Sequence, residues 1–331
     1  MPVQHVAETY PLVRPRIGVP SRGRARGVIA GAAYGLLTHA VFHSFSSGPG
    51  TMSAALLFVT PFSIGALVSL QLRRGCAMWR SAVVSVCTCV GVGGLLAALG
   101  MEPLLYIVMA LPALVTCAAF GGGVAFAMRR AGPRTVVAAA VALALAPFVV
   151  GAAETLVPTG TAVRNVHTQV TIQTDKSVIW RNITRVSEIQ SYEQRFSAFH
   201  ALGLPRPRQA MLSRDGVGAI RDATFAGGLS FVETVIAWRP EQELRFTIAV
   251  DRTRPVPPVI DAIDGEVFTV TEGRYRIEPS GDGRWLLRLD STQRLSTRFN
   301  WYASFWTDRV MAHLQNYILR IIRDRCERVA G

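Results

Sequence analysis

Eleven arginines precede residue 160, and every one lies in the N-terminal arm or in alternate gaps between apolar stretches. The arm carries Arg14, Arg16, Arg22, Arg24 and Arg26, and the first stretch, 28 to 45, leaves through the uncharged segment Ser46–Gly50. The second, 51 to 72, runs into Arg73, Arg74 and Arg80; the third, 81 to 100, leaves through Met101, Glu102 and Pro103. The fourth, 104 to 128, runs into Arg129, Arg130 and Arg134, and the fifth, 135 to 153, ends at Glu154. Each stretch is close to the ~20 residues that a helix needs to cross a bilayer core. Arginine in short loops stays on the cytoplasmic side. The pattern therefore predicts a multi-pass α-helical membrane region of five spans, with the arm in the cytoplasm and the C-terminal half outside it.

The boundaries that follow are a basic arm over 1–27, spans over 28–156, a Pro/Gly/Thr linker over 157–163 and a globular domain over 164–331. A domain of that size can bury its own core. The net charge of +13 would ordinarily invite a nucleic-acid partner, but eleven arginines against Glu8, Glu102 and Glu154 place most of it in the membrane half. The remainder forms no basic run, so no nucleic acid is expected. Cys326 is alone in the globular half, which leaves it without an internal disulfide. A single lysine, Lys176, among so many arginines points to a GC-rich bacterial genome and hence to a bacterial inner (plasma) membrane.

Within the spans, Gly27, Gly31 and Gly35 form a small-residue stripe at i+4 spacing, of the kind that lets another helix approach closely. Either a neighbouring span of the same chain or a second copy in a homo-oligomer fits it. His39 and His43 share a face without an evident third ligand, so no metal and no cofactor is expected. Pro61, Pro112 and Pro147 are expected to kink their spans.

Beyond the linker the periodicity changes from continuous apolar runs to alternation. Val166, Thr168, Val170 and Ile172 open a strand, Asp175 is placed to cap a short helix, and a second short helix is expected over 187 to 200. Strands follow near 216–226, 229–238, 243–251, 266–278 and 283–296. Trp306, Val310, Leu314, Tyr317, Ile318, Ile321 and Ile322 then recur at helical spacing over 302 to 328. A three-residue turn at Ala226–Gly228 sets Arg221 opposite Glu233 and Ala223 opposite Phe231. A two-residue turn would instead oppose Asp222 and Glu233, two like charges. The favoured register projects one Arg/Glu pair from an oily sheet face, either as a structural ion pair or as the polar part of a pocket.

This order, with Gly216-Val217-Gly218-Ala219-Ile220-Arg221, Phe231-Val232-Glu233, Trp238 and a terminal helix holding Trp306 and Asp308, resembles the SRPBCC or START-like superfamily, in particular its polyketide cyclase/dehydrase-like branch. The resemblance covers about 163 to 328. It implies an α+β helix-grip domain, a curved antiparallel sheet around a long C-terminal helix, with a cavity for lipids, sterols, polyketides or other apolar molecules. The expected ligand-binding residues are Arg221 and Glu233 with Phe231, Trp238, Tyr302, Trp306 and His313. No nucleophile elbow, metal motif or phosphate loop occurs, so no catalytic residue is assigned. The expected function is binding of a hydrophobic or amphipathic ligand such as a membrane lipid. A cyclase- or dehydratase-like enzyme and a non-catalytic assembly module stay open beside it. The proline-rich segment Arg252–Glu266 is expected to pack over the sheet edge, to serve as a lid over the cavity or to touch the membrane surface.

Overall fold

A computed structural model describes residues 22–45, 53–73, 75–254, 256, 260 and 267–330. Arg14, Arg16, Ser46–Gly50 and most of the Arg252–Glu266 loop lie outside the described residues, so the expectations attached to them do too.

The N-terminal half is a helical bundle of α1 (Arg22–Phe45), α2 (Thr60–Leu70), α3 (Met78–Ala98), α4 (Leu104–Met128) and α5 (Pro133–Thr155), with a π-helical turn at Ala55–Val59 leading into α2. Three of these helices, α3, α4 and α5, are long and apolar enough to cross a membrane, not the five expected. The shortfall has two physical causes. α1 spends its first turns on Arg22, Arg24 and Arg26 and carries His39 and His43 near its other end. Ala55–Leu70 rises only about 24 Å, short of the ~30 Å of a hydrocarbon core.

Small residues hold the bundle together. A Cβ on Gly65 would collide with the backbone carbonyl of Ala118, and one on Gly121 with that of Phe62, so α2 and α4 pass backbone to backbone. Serine hydroxyls donate into the same seams, from Ser85 to the Gly65 carbonyl at 2.8 Å and from Ser69 to that of Gly122 at 2.9 Å. The glycine stripe of α1 lies against Val68, Ile64, Thr88 and Val92 of α2 and α3 in the same chain. At one end Arg129 is buried and donates to the carbonyls of Leu72 and Arg73 at 3.3 and 3.0 Å, fastening the segment that leaves α2. At the other, Glu154 accepts from Ser53 Oγ and the Ala55 amide, both at 2.7 Å, and caps the π turn.

The C-terminal half is one antiparallel sheet of seven strands in the order β1-β7-β6-β5-β4-β3-β2. The strands are β1 (Ala162–Ile172), β2 (Pro207–Leu212), β3 (Ile220–Phe225), β4 (Ser230–Arg239), β5 (Glu243–Val250), β6 (Phe268–Pro279) and β7 (Trp285–Leu295). Two short helices, α6 (Lys176–Thr184) and α7 (Ala198–Ala201), join β1 to β2, and α8 (Asn300–Ala330) closes the chain. The sheet curls around α8, which is the helix-grip arrangement. Arg221 faces Glu233 and Ala223 faces Phe231, the register set by the three-residue turn. Gly227 and Gly228 supply its positive φ of 78° and 85°.

Two expectations change. The single helix over 187 to 200 is instead a 3₁₀ turn at Ser191–Glu193 followed by α7, whose cap Ser197 accepts from the His200 amide. β2 was not expected at all; it is a short edge strand behind Pro205 and Pro207, where missing amide donors are tolerated. The Ser191–Glu193 turn is pinned to α8 by Glu193, which accepts from Arg325 at 2.7 and 2.8 Å and from Arg328 at 2.6 Å. The hold of Arg325 draws the Glu193 carboxyl down to about 2 against the effect of burial, with the Gln190 amide and Arg328 adding to it.

Two outcomes follow for stability. Gly65→Ala should force α2 and α4 apart and cost about 1–3 kcal/mol, whereas Gly94→Ala, with open space around its Cβ position, should change stability by no more than about 0.5 kcal/mol; thermal unfolding in detergent compares them. Because the folded-state pKa of Glu193 lies below its ordinary value, its contribution is complete above about pH 4.5 and disappears as pH falls through about 2. Glu193→Gln should therefore lower stability at neutral pH and flatten the acid-unfolding profile over that window, as read by tryptophan fluorescence.

Candidate ligand cavity

α8 carries one apolar stripe along its length, but the stripe meets two different environments. From Leu319 onward it is packed into the sheet, with Leu319, Ile322 and Cys326 in one core with Ile179, Leu244 and Leu287. Before that, Tyr302, Trp306, Val310, Leu314 and Ile318 face open space. That space is a cavity of about 410 Å³, lined almost wholly by apolar side chains and within the ~300–1,000 Å³ typical of small-molecule sites.

A polar cluster in its wall is built by four neighbouring strands. Arg221 of β3 and Glu233 of β4 form a buried ion pair through Arg221 Nη1 and Glu233 Oε2. The Arg221 guanidinium also lies over the Phe246 ring of β5, 5.4 Å from its centroid. Phe246 reaches this position because its partner across the ladder is Gly273; a Cβ there would come within 2.5 Å of the ring. Tyr275 of β6 completes the cluster, and burial pushes its hydroxyl up to about 12. Burial also works against the charge on Arg221, but Glu233 and Tyr275 more than offset it, so the guanidinium stays protonated. Arg221 Nε and Trp306 Nε1 are buried without a hydrogen-bond acceptor. Gln315, by contrast, is satisfied: its amide nitrogen donates to Ser291 Oγ at 2.8 Å and its oxygen accepts from Thr168 at 2.9 Å.

Five of the seven residues singled out from sequence, Arg221, Glu233, Phe231, Tyr302 and Trp306, line this cavity. Trp238 and His313 do not. A bulge between Val235 and Ala237 shifts the alternation of β4 and sets Trp238 on the inner face opposite Leu244, beyond the cavity, where it packs edge-on against Trp180 of α6 at 4.9 Å and against the core. His313 lies further along α8, where α7 covers the helix; its Nε2 is 2.7 Å from Ser197 Oγ and its ring meets Phe199 at 4.9 Å. Burial lowers its pKa. Phe246, Gly273 and Tyr275 are lining residues that the sequence reading passed over. Registering β5 on β6, as was done for β3 on β4, would have placed them on the same face.

The rest of the lining comes from the helical bundle. Leu57, Ile64, Cys89, Val92, Leu105 and Leu114 contribute to the same cavity. The two halves meet at the start of α8, where Phe58 packs against Phe299, Trp301 and Tyr302 with ring centroids 5.8–6.0 Å apart. Tyr302 donates its hydroxyl to the Met109 carbonyl at 2.6 Å. His39 and His43 stack at 6.1 Å, and His39 Nε2 stands 3.7 Å from Glu102. Among the described residues no group of three or more His, Cys, Asp or Glu is placed to hold a metal ion.

No protein-family model matches the chain, and no curated protein does. Among solved structures it is similar to a truncated norcoclaurine synthase from Thalictrum flavum, at 16% identity over 50% of this chain and 96% of that one, with a TM-score of 0.31. It is also similar to the Mll3558 protein from Rhizobium loti, at 10% identity over 49% of this chain and 99% of that one, TM-score 0.29. A third is a conserved protein of unknown function, EF2215, from Enterococcus faecalis, at 11% identity over 50% of this chain and 74% of that one, TM-score 0.29. The chemistry open to this chain is therefore that of its own cavity: a largely apolar enclosure with the Arg221–Glu233 pair in the grip wall, His39 beside Glu102 in the bundle wall, and two buried donors, Arg221 Nε and Trp306 Nε1, without an acceptor.

Proposed function

We propose that this chain is a membrane-anchored binding protein for a hydrophobic or amphipathic molecule, such as a membrane lipid, and that the ligand is held by a helix-grip domain of SRPBCC type outside the cytoplasm. The observation that carries the reading is the apolar cavity of about 410 Å³ with Arg221 and Glu233 buried in its wall. An enclosure of that polarity takes in apolar surface, and a single polar cluster orients it. Arg221, Glu233, Phe231, Tyr302 and Trp306 are the proposed binding residues.

The membrane setting rests on composition and on where the aromatic side chains fall. α3 rises about 30 Å over its length, the thickness of a hydrocarbon core. Trp79 is exposed at its start, and at the opposite end of the bundle Trp301 and Phe305 are exposed on the first turns of α8. Exposed tryptophans at both ends suit the two interfaces of a bilayer. Arg73, Arg74 and Arg80 precede α3, and Arg129, Arg130 and Arg134 separate α4 from α5. An odd number of crossings, three or five, leaves these groups on one side and the C-terminal half on the other. With arginine-rich loops inside, the grip faces away from the cytoplasm of a bacterial plasma membrane.

Native mass spectrometry of the detergent-solubilised full chain should show a co-purifying apolar molecule; an empty chain that also takes up no added lipid would overturn the reading. Arg221→Ala should destabilise by about 3–5 kcal/mol, because it strands Glu233 in an apolar wall. Replacing both partners, Arg221→Met with Glu233→Leu, should restore most of that stability and still abolish ligand retention. Recovery of both would make the pair structural only. Separately, a reporter active only in the cytoplasm, fused after Gly331, should remain silent; activity would reverse the orientation.

A further inference from the structure

The cavity does not stop at the sheet. On α4 its lining runs from Leu105 to Leu114, about 14 Å along the axis, and α1, α2 and α3 add Gly35, Ile64, Cys89, Val92 and Gly93 at the same depth. We propose that it is one site shared by membrane helices and grip, and that its occupant is a single-chain amphiphile from the bilayer. The tail lies between α1, α2, α3 and α4, and a hydrogen-bond-accepting head meets Arg221 and Trp306. This rests on the binding reading above and names the class of ligand.

Three observations converge on it. The first is a gradient of polarity: the part of the bundle lined by Ile64, Cys89, Val92 and Leu114 is apolar, whereas the grip presents the Arg221–Glu233 pair and the ionisable bundle residues of the lining, His39 and Glu102, lie by the outer ends of α1 and α3. A molecule matched to both ends has an apolar tail and a polar head. The second is the unmet demand of that end. Arg221 Nε and Trp306 Nε1 are both donors, buried and unpartnered, so the head must bring acceptors. Because Glu233 already neutralises Arg221, an ester, carbonyl or carboxyl oxygen meets the need without a full charge. The third is the π-helical turn at the joint of the two halves. Leu56 and Leu57 line the cavity from it, π turns appear frequently at functional sites, and Glu154 holds this one by its side-chain oxygens.

The test uses the full chain in phosphatidylcholine nanodiscs and two forms of hexadecanoic acid, one with a diazirine beside the carboxyl group and one with it at the terminal carbon. After irradiation, peptide mass spectrometry maps the labelling that unlabelled hexadecanoic acid competes away. The carboxyl-end probe is expected on grip residues such as Phe231, Phe246 or Trp306, and the terminal-carbon probe on Ile64, Cys89, Val92 or Leu114. Ala110→Trp, which fills the bundle limb from α4, should reduce competed terminal-carbon labelling by about tenfold or more, the effect of excluding a few methylenes. Ala110→Leu should reduce it less, and serves if the larger variant does not fold. Competed labelling by both probes in the grip alone would overturn the shared site and leave the binding reading standing. Terminal-carbon labelling untouched by both variants would overturn it too. No competed labelling anywhere in the cavity would overturn the binding reading as well.

Discussion

The first turn of α8 is seated on the π-helical turn that leads into α2, and the cavity depends on that joint. Phe299, Tyr302 and Ala303 bury themselves with Leu57 and Phe58, and the Tyr302 hydroxyl is fixed on the Met109 carbonyl. The joint is fastened from the chain side as well. Asn300 accepts from the Thr297 amide at 2.7 Å and donates to the Gly160 carbonyl at 2.7 Å, while Arg298 donates to the Val157 carbonyl. The exit of α5, the linker and the start of α8 therefore converge on one spot. With the near end of α8 held there and its far end clamped by the sheet core and by Glu193, the middle of the helix is bridged across open space instead of collapsing onto the strands.

Much of the C-terminal half was legible in the sequence because its signals are local. Period-two alternation placed six of the seven strands, and a like-charge conflict between Asp222 and Glu233 was enough to choose the β3–β4 register. β2 escaped because two prolines and an arginine mask its alternation, and it is recognisable only through its pairing with β3. The amphipathic stripe of α8 was equally plain, yet its meaning was not. Trp306 and Leu314 face a void while Ile322 faces packed core, and nothing in the spacing of these residues separates the two. Trp238 illustrates a different limit: it is out of phase with Phe231, Glu233 and Val235, and one extra residue in β4 brings it back onto the inner face, against the core beside Leu244 and beyond the cavity.

In the helical half the arginine pattern located the helices but overstated how many are built to cross a bilayer. Its helix-packing chemistry was only half visible. The Gly27, Gly31, Gly35 stripe advertises close approach, but the tighter crossing uses Gly65 and Gly121, which lie in different helices and form no stripe. The Arg221–Glu233 pair adds a further constraint. An ion pair in an apolar wall is weak evidence of stability, since well-packed apolar residues of the same volume do as well or better. Its place in that wall fits the binding role proposed above, in which the pair orients the polar end of a ligand.

A vessel whose floor belongs to one half of the chain and whose walls belong to the other cannot be divided. Cut at the linker, the grip would lose Leu57, Leu105 and their neighbours from its lining, and the apolar face of Phe299 and Tyr302 would be left to water. The C-terminal half in isolation would be a sleeve open at the bottom. The helices beneath it, long enough to be mistaken for a mere tether, are its base.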